Sequence, residues 1–156
     1  MLMAKHYWLF KAEPHIYGIE HLAAAPNKIG RWDGIRNYQA RNFLRDQVAL
    51  NDEVFIYHSS CKHVGIVGTA KVVNTAYPDP TQFNPESDYY DPKSTAENPR
   101  WVSVDIQLTK VFPRIISLAE IKAQPLLENM VLVKQSRLST QPVTADEWKV
   151  ILSLLK

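Results

Sequence analysis

A run of strict alternation, Trp101 to Phe112, most constrains what this chain can become. Val102, Val104, Ile106 and Leu108 alternate with Ser103, Asp105, Gln107 and Thr109. Successive side chains of a strand point to opposite faces, so the segment predicts a strand with one apolar face. Such a face needs more sheet beside it and a packed layer upon it. Tyr7 to Lys11 is aromatic-rich, ends at Glu13-Pro14, and reads as a buried first strand. Asn51-Asp52 reads as a turn, followed by strands over Glu53–His58 and Val64–Val73. The short polar link Ser59–His63 between them predicts antiparallel pairing. Gly65 and Gly68 inside the second of these strands predict a bulge or a close backbone approach.

Helical patterning fills the gaps. Ile19 to Ala25 predicts a short helix stopped by Pro26. Tyr38 to Val48 predicts a longer one, with Ala40, Phe43, Leu44 and Val48 as its apolar stripe. Arg41 and Arg45 lie four apart and share a face of that helix. Ser117 with Glu120, and Thr144 with Glu147, have capping-box spacing. Val143 and Trp148 have the spacing of a hydrophobic staple, and Trp148, Ile151, Leu152 and Leu155 form the last helix's stripe. Strands separated by short helices predict an α+β domain on a curved or barrel-like sheet. At 156 residues and 46% hydrophobic content, residues 1–156 are expected to form a single domain.

Charge is unevenly spread along the chain although the net value is only +2. Lys28, Arg31, Arg36, Arg41 and Arg45 are set against the single acid Asp33. From Asn74 to Pro99 lie Asp79, Glu86, Asp88, Asp91 and Glu97, set against the single base Lys93. A near-neutral molecule patterned this way can still carry one positive face, but on charge alone both runs read as solvated surface. The acidic segment also holds five of the ten prolines together with Tyr77, Phe83, Tyr89 and Tyr90. It has no periodicity, and long irregular loops in small domains tend to be functional. The single cysteine, Cys61, fits a reducing compartment. Met1–Trp8 lacks a signal-peptide pattern, and no run of about 18 apolar residues exists to span a membrane. An intracellular protein is expected, cytoplasmic or, in a eukaryote, nuclear.

Several chemistries are disfavoured. His58, Cys61 and His63 sit in one six-residue stretch, but no second ligand pair follows at zinc-site spacing, so no metal is expected. There is no Gly-x-Ser-x-Gly elbow and no phosphate-cradling glycine motif among the five glycines, so neither a catalytic set nor a cofactor is expected. Ser59, His58 and Asp105 are the one foothold for an enzyme acting on a nucleotide or nucleoside. The stretch from Arg31 to Arg45 points elsewhere. Its arginines suit phosphate, its Trp32 and Tyr38 suit stacking, and its amides suit base edges. Tyr89 and Tyr90 add aromatic faces, and Gln135–Ser139 adds a second polar cluster.

Seven segments, in order, resemble the EVE-domain family. They are Tyr7–Pro14, Trp32–Arg45, Phe55–Ser59, Ala76–Asp79, Tyr90–Pro92, Trp101–Asp105 and Ser136–Val143. The chain departs from the family pattern at Ala12, where a serine is usual. The resemblance implies a PUA-like fold, a bent mixed sheet or barrel with short helices around it, related to YTH domains. It implies a non-enzymatic module that holds a modified base, chiefly a modified cytosine in DNA, with modified RNA as the alternative target. By the same resemblance Trp32 and Tyr90 would wall an aromatic pocket, and Lys11, Asn37 and Ser59 would be its polar contacts. Arg36, Arg41 and Arg137 would hold phosphates. Protein partners encoded in the genomic neighbourhood are a further expectation, and the oligomeric state is left open.

Overall fold

The computed structural model describes residues 6–135 and 137–155. Met1–Lys5, Ser136 of the polar cluster, and Lys156 lie outside the described residues. The chain runs β1 (Tyr7–Ala12), α1 (Pro14–Tyr17), α2 (Ile19–Ala24), β2 (Ile29–Trp32), α3 (Tyr38–Asp46), β3 (Glu53–His58) and β4 (Gly65–Pro78). It continues with β5 (Val102–Ser117), α4 (Leu118–Ala123), α5 (Val131–Lys134), β6 (Thr140–Val143) and α6 (Ala145–Ser153). Among the described residues no helix is long and apolar enough to cross a membrane.

The six strands form one mixed sheet in the order β2-β5-β4-β3-β1-β6. β1 and β3 are parallel, with Trp8 opposite Val54 and Phe10 opposite Ile56; the other neighbours are antiparallel. The sheet is open, with β2 and β6 at its edges, so the expected barrel is not closed. Alternation then sorts side chains into two cores. Trp8, Phe10, Val54 and Ile56 face a layer that includes Leu22, Trp32, Ile35 and Leu44. Leu9, Phe55 and Tyr57 face the opposite layer with Ile121, Leu132, Trp148 and Ile151. Trp148 stacks on Phe55 with ring centroids 3.8 Å apart.

β4 and β5 run several residues beyond their expected ends, because each is the other's partner along almost its whole length. Their register shifts repeatedly, and one shift, between Ile66 and Gly68, falls opposite the stretch of β5 that holds Pro113. An irregularity there tolerates a residue with no N–H to give the ladder. Gly68 answers to close approach: a Cβ would lie 2.3 Å from the Lys110 carbonyl oxygen. β6 contains Pro142 and lies at a sheet edge, where proline is permitted. Both capping boxes were read from spacing. The Thr144–Glu147 box forms reciprocally, and Ser117 Oγ accepts from the Glu120 N–H.

The Asn51-Asp52 turn is also a structural anchor. Asp52 is buried, and its carboxylate accepts from Trp8 Nε1 and from the Ala49 N–H, both at 2.9 Å. Asp52→Ala leaves both donors unpaired. We expect a loss of about 2–4 kcal/mol, measured by urea denaturation against wild type.

Candidate functional site

The turn between β2 and α3 meets the long loop between β4 and β5 through one buried carboxylate. Asp79 is fully buried and accepts four hydrogen bonds: from the Gly34 N–H (2.9 Å), Arg36 Nη1 (3.0 Å), the Thr81 N–H (2.8 Å) and Thr81 Oγ1 (2.6 Å). Burial pushes its pKa up, but the donors from Thr81, Gly34 and Arg36 outweigh burial and hold it below the usual carboxylate value. Arg36 reaches further. Its Nε and Nη2 both bond the Tyr89 carbonyl, Nη2 also bonds Thr81 Oγ1, and Nη1 also bonds its neighbour's carbonyl at Ile35. Its guanidinium also lies 5.4 Å from the Trp101 ring centroid.

The loop carries its own polar core. Gln82 is fully buried; its Nε2 donates to the Asp79 and Trp101 carbonyls, and its Oε1 accepts from the Arg100 and Trp101 N–H groups and from Ser94 Oγ. Trp101 Nε1 donates to Asp91 at 2.8 Å. A segment without regular structure is thereby fixed by side-chain bonds to its backbone.

This frame closes one side of a cavity of about 450 Å³, inside the roughly 300–1,000 Å³ range of small-ligand pockets. The end of β1 supplies Lys11 and Ala12, and α1 supplies Ile16 and Tyr17. Trp32 and the turn after it form another wall, Asp88 and Tyr89 come from the long loop, and Ser139 precedes β6. Trp32 is also part of the core, 5.9 Å from the Phe10 ring and edge-on to Tyr17 at 6.1 Å. Gly34 makes the Tyr89 wall possible. Its φ is +77°, and a Cβ there would lie 2.7 Å from Tyr89 Cζ. Burial lowers the Lys11 pKa and raises those of Tyr17 and Tyr89.

Of the residues given a site role by the resemblance, the cavity gathers Trp32, Lys11 and Arg36. Tyr90 is exposed and does not line it; its neighbour Tyr89 does. Ser59 lies behind the wall, its N–H bonded to the Ala12 carbonyl at 2.8 Å. Asn37 caps α3, its Oδ1 accepting from the Ala40 N–H, and with Gln39 and Arg137 it lines a separate recess. Arg36 is corrected from phosphate clamp to internal brace, because its five N–H donors make five bonds within the chain. Arg41 bonds the Arg100 carbonyl and Asn42 and lies 4.7 Å from the Tyr38 ring centroid. Ala12, where a serine hydroxyl was expected, does line the cavity. Ile16, Tyr17 and Ser139 were not assigned to the pocket from sequence. A four-residue helix gives too little periodicity to mark the first two.

The enzyme foothold is not assembled. His58 pairs with Gly65 at one end of β4, and Asp105 pairs with Asn74 further along it. Nine residues of β4 separate the two positions, a span of up to roughly 30 Å along the strand. His58 Nε2 instead accepts from the Ile19 N–H at 3.1 Å, and Asp105 accepts from the Tyr77 hydroxyl.

An open mixed sheet flanked by short helices, with a cavity walled by aromatic rings, defines an α+β domain of the PUA-like kind. The fold is shared with the YTH domain of a Zygosaccharomyces rouxii protein at TM-score 0.58 and 15% identity, over 97% of this chain and 87% of that one. The family is closer: the EVE domain matches residues 6–154, and the chain belongs to that family. Human thymocyte nuclear protein 1 is 45% identical over 165 residues, spanning 95% of this chain and 73% of the human protein. The crystal structure of the human protein in complex with DNA containing 5-methylcytosine superposes with TM-score 0.93 at 44% identity, covering 97% of this chain and 98% of that one. A Pseudomonas syringae protein superposes with TM-score 0.91 at 49% identity, covering 96% of this chain and 99% of that one.

The Asp79 node predicts a pH signature. A carboxylate held below its unfolded pKa stabilises the fold above that unfolded value, near about 3.9, and loses the contribution as pH falls through the folded pKa. Asp79→Asn is expected to lower stability at pH 7 by about 2–4 kcal/mol and to flatten the acid limb of the stability curve. Chemical denaturation from pH 2 to pH 7 measures both.

Proposed function

We propose that this chain is a non-enzymatic binding module that holds one modified base of a nucleic acid in the cavity. The preferred target is a modified cytosine in DNA. The observation that carries this reading is the cavity between Trp32 and Tyr89, in a chain so similar to a protein crystallised with 5-methylcytosine DNA.

A base outside its stack exposes two faces and its hydrogen-bonding edge. Aromatic contact recovers about 1–3 kcal/mol per base. Cytosine presents an amino donor that carboxylates accept, beside acceptors that an ammonium can reach. Glu13, Asp33 and Lys11 line the cavity and supply both kinds of group. A buried methyl adds only about 0.8 kcal/mol, or roughly four-fold. Stronger selectivity therefore rests on the shape of the wall, which the Arg36–Asp79 pair holds in place. Arg137, exposed beside Asn37 and Gln39, and Arg41 on the face of α3 are the groups we assign to the backbone phosphates.

Fluorescence anisotropy tests the reading with DNA carrying cytosine, 5-methylcytosine or 5-hydroxymethylcytosine, and with RNA of matched sequence. We expect the modified DNA to bind tighter than plain DNA or RNA. Tyr89→Ala should weaken modified DNA by about ten-fold, and Trp32→Phe, which keeps an aromatic ring in the core, should weaken it less. Equal binding of all probes by wild type and Tyr89→Ala contradicts the cavity as the base site. Tighter binding of the RNA moves the target class to RNA.

A further inference from the structure

We propose that Ile16 is a wedge that enters the base stack of a duplex beside the base held in the cavity. The proposal rests on the base-binding reading above and adds the strand state of the target. Eight large apolar side chains stand exposed among the described residues: Ile16, Tyr38, Leu50, Phe83, Tyr90, Val111, Ile115 and Leu126. Ile16 alone among them lines the cavity. It is 53% exposed.

Its surroundings are polar. Glu13 lies 3.6 Å from His15 on the same short segment, and Arg31 pairs with Asp33 at 2.9 Å on the neighbouring cavity wall. An isoleucine in such a setting gains nothing from solvent, and it gains by contacting another apolar surface. The faces of stacked bases are such a surface.

Its mounting is firm. Pro14 opens α1, and the N–H groups of Ile16 and Tyr17 both bond the Glu13 carbonyl, at 2.9 and 3.0 Å. The junction that follows is tied at two points, with the Gly18 N–H on His21 Nδ1 and the Ile19 N–H on His58 Nε2. A β-branched side chain adds stiffness of its own. Tyr17, next in sequence, packs edge-on to Trp32. The element that builds the cavity wall therefore also presents the exposed isoleucine at its rim.

Taking a base out of a duplex leaves a gap between its stacked neighbours, and unstacking opposes the move. Apolar side chains inserted between base steps are a general way to occupy such a gap. A single strand has no paired stack to hold open. Ile16 would then matter more for duplex targets than for single strands.

The test compares wild type and Ile16→Ala on one 5-methylcytosine sequence, as a duplex and as a single strand, with 2-aminopurine beside the modified base. Ile16 is exposed, so the variant is expected to melt within a degree or two of wild type. The wedge predicts about a ten-fold loss of duplex affinity and a smaller 2-aminopurine increase on the duplex, with a single-strand loss several-fold smaller than the duplex loss. Equal losses on duplex and single strand make Ile16 a wall residue and overturn the wedge, as does no loss on either. If wild type shows no preference for the modified base in either strand state, the base-binding reading itself fails. Should wild type prefer the modified base while Ile16→Ala behaves identically, only the wedge is lost.

Discussion

The Asp79 carboxylate, buried beneath the loop that follows β4, holds together two segments more than forty residues apart in sequence. Without it the Gly34 N–H and the Arg36 guanidinium would face each other across a dry junction. Arg36 transmits the constraint by gripping the Tyr89 carbonyl with two donors. A planar fork suits that task, because it fixes direction as well as distance. The wall opposite Trp32 thus depends on an ion pair and a set of charge-assisted hydrogen bonds. Gln82 repeats the logic one step along the loop, spending both ends of its amide on backbone groups.

That arrangement changes the meaning of the charge pattern. A basic run and an acidic run in one near-neutral chain read as two stretches of solvated surface. Instead the two runs meet, with Arg36 on Asp79 as the junction. Arg36 is spent inside the molecule, while other cations of the stretch are paired at the surface. Arg31 pairs with Asp33 and Arg45 with Asp46, while Arg41 turns to Tyr38 and the Arg100 carbonyl. Arg31 and Arg45 remain about half exposed, but each carries an acid beside it that offsets its charge.

Much of the fold was legible in sequence for identifiable reasons. The alternation of β5, the stripe of α3 and the Thr144–Glu147 box are local signals, and each produced its element. β2 and β6 were missed because each has four residues, one with a glycine and the other with Pro142, too short for periodicity to register. The site was harder. Trp32 and Lys11 line the cavity, and of the two adjacent loop tyrosines Tyr89 lines it while Tyr90 is exposed. The choice between adjacent tyrosines is made by the left-handed Gly34 and by which carbonyl Arg36 grips. Neither is a property of the loop's own sequence. Asn37 went the same way: an amide next to arginines reads as a base contact, yet its place at the start of α3 commits it to capping.

Whether a base meets the ring of Tyr89 and the indole of Trp32 decides what the cavity is for. DNA labelled with ¹³C at the 5-methyl group of one cytosine allows the contact to be read directly by intermolecular nuclear Overhauser effects. Cross-peaks from that methyl to the Trp32 and Tyr89 ring protons, with loss of the cross-peaks to its stacked neighbours, are the predicted result. A methyl that keeps its contacts within the stack, and shows none to either ring at saturating protein, contradicts it.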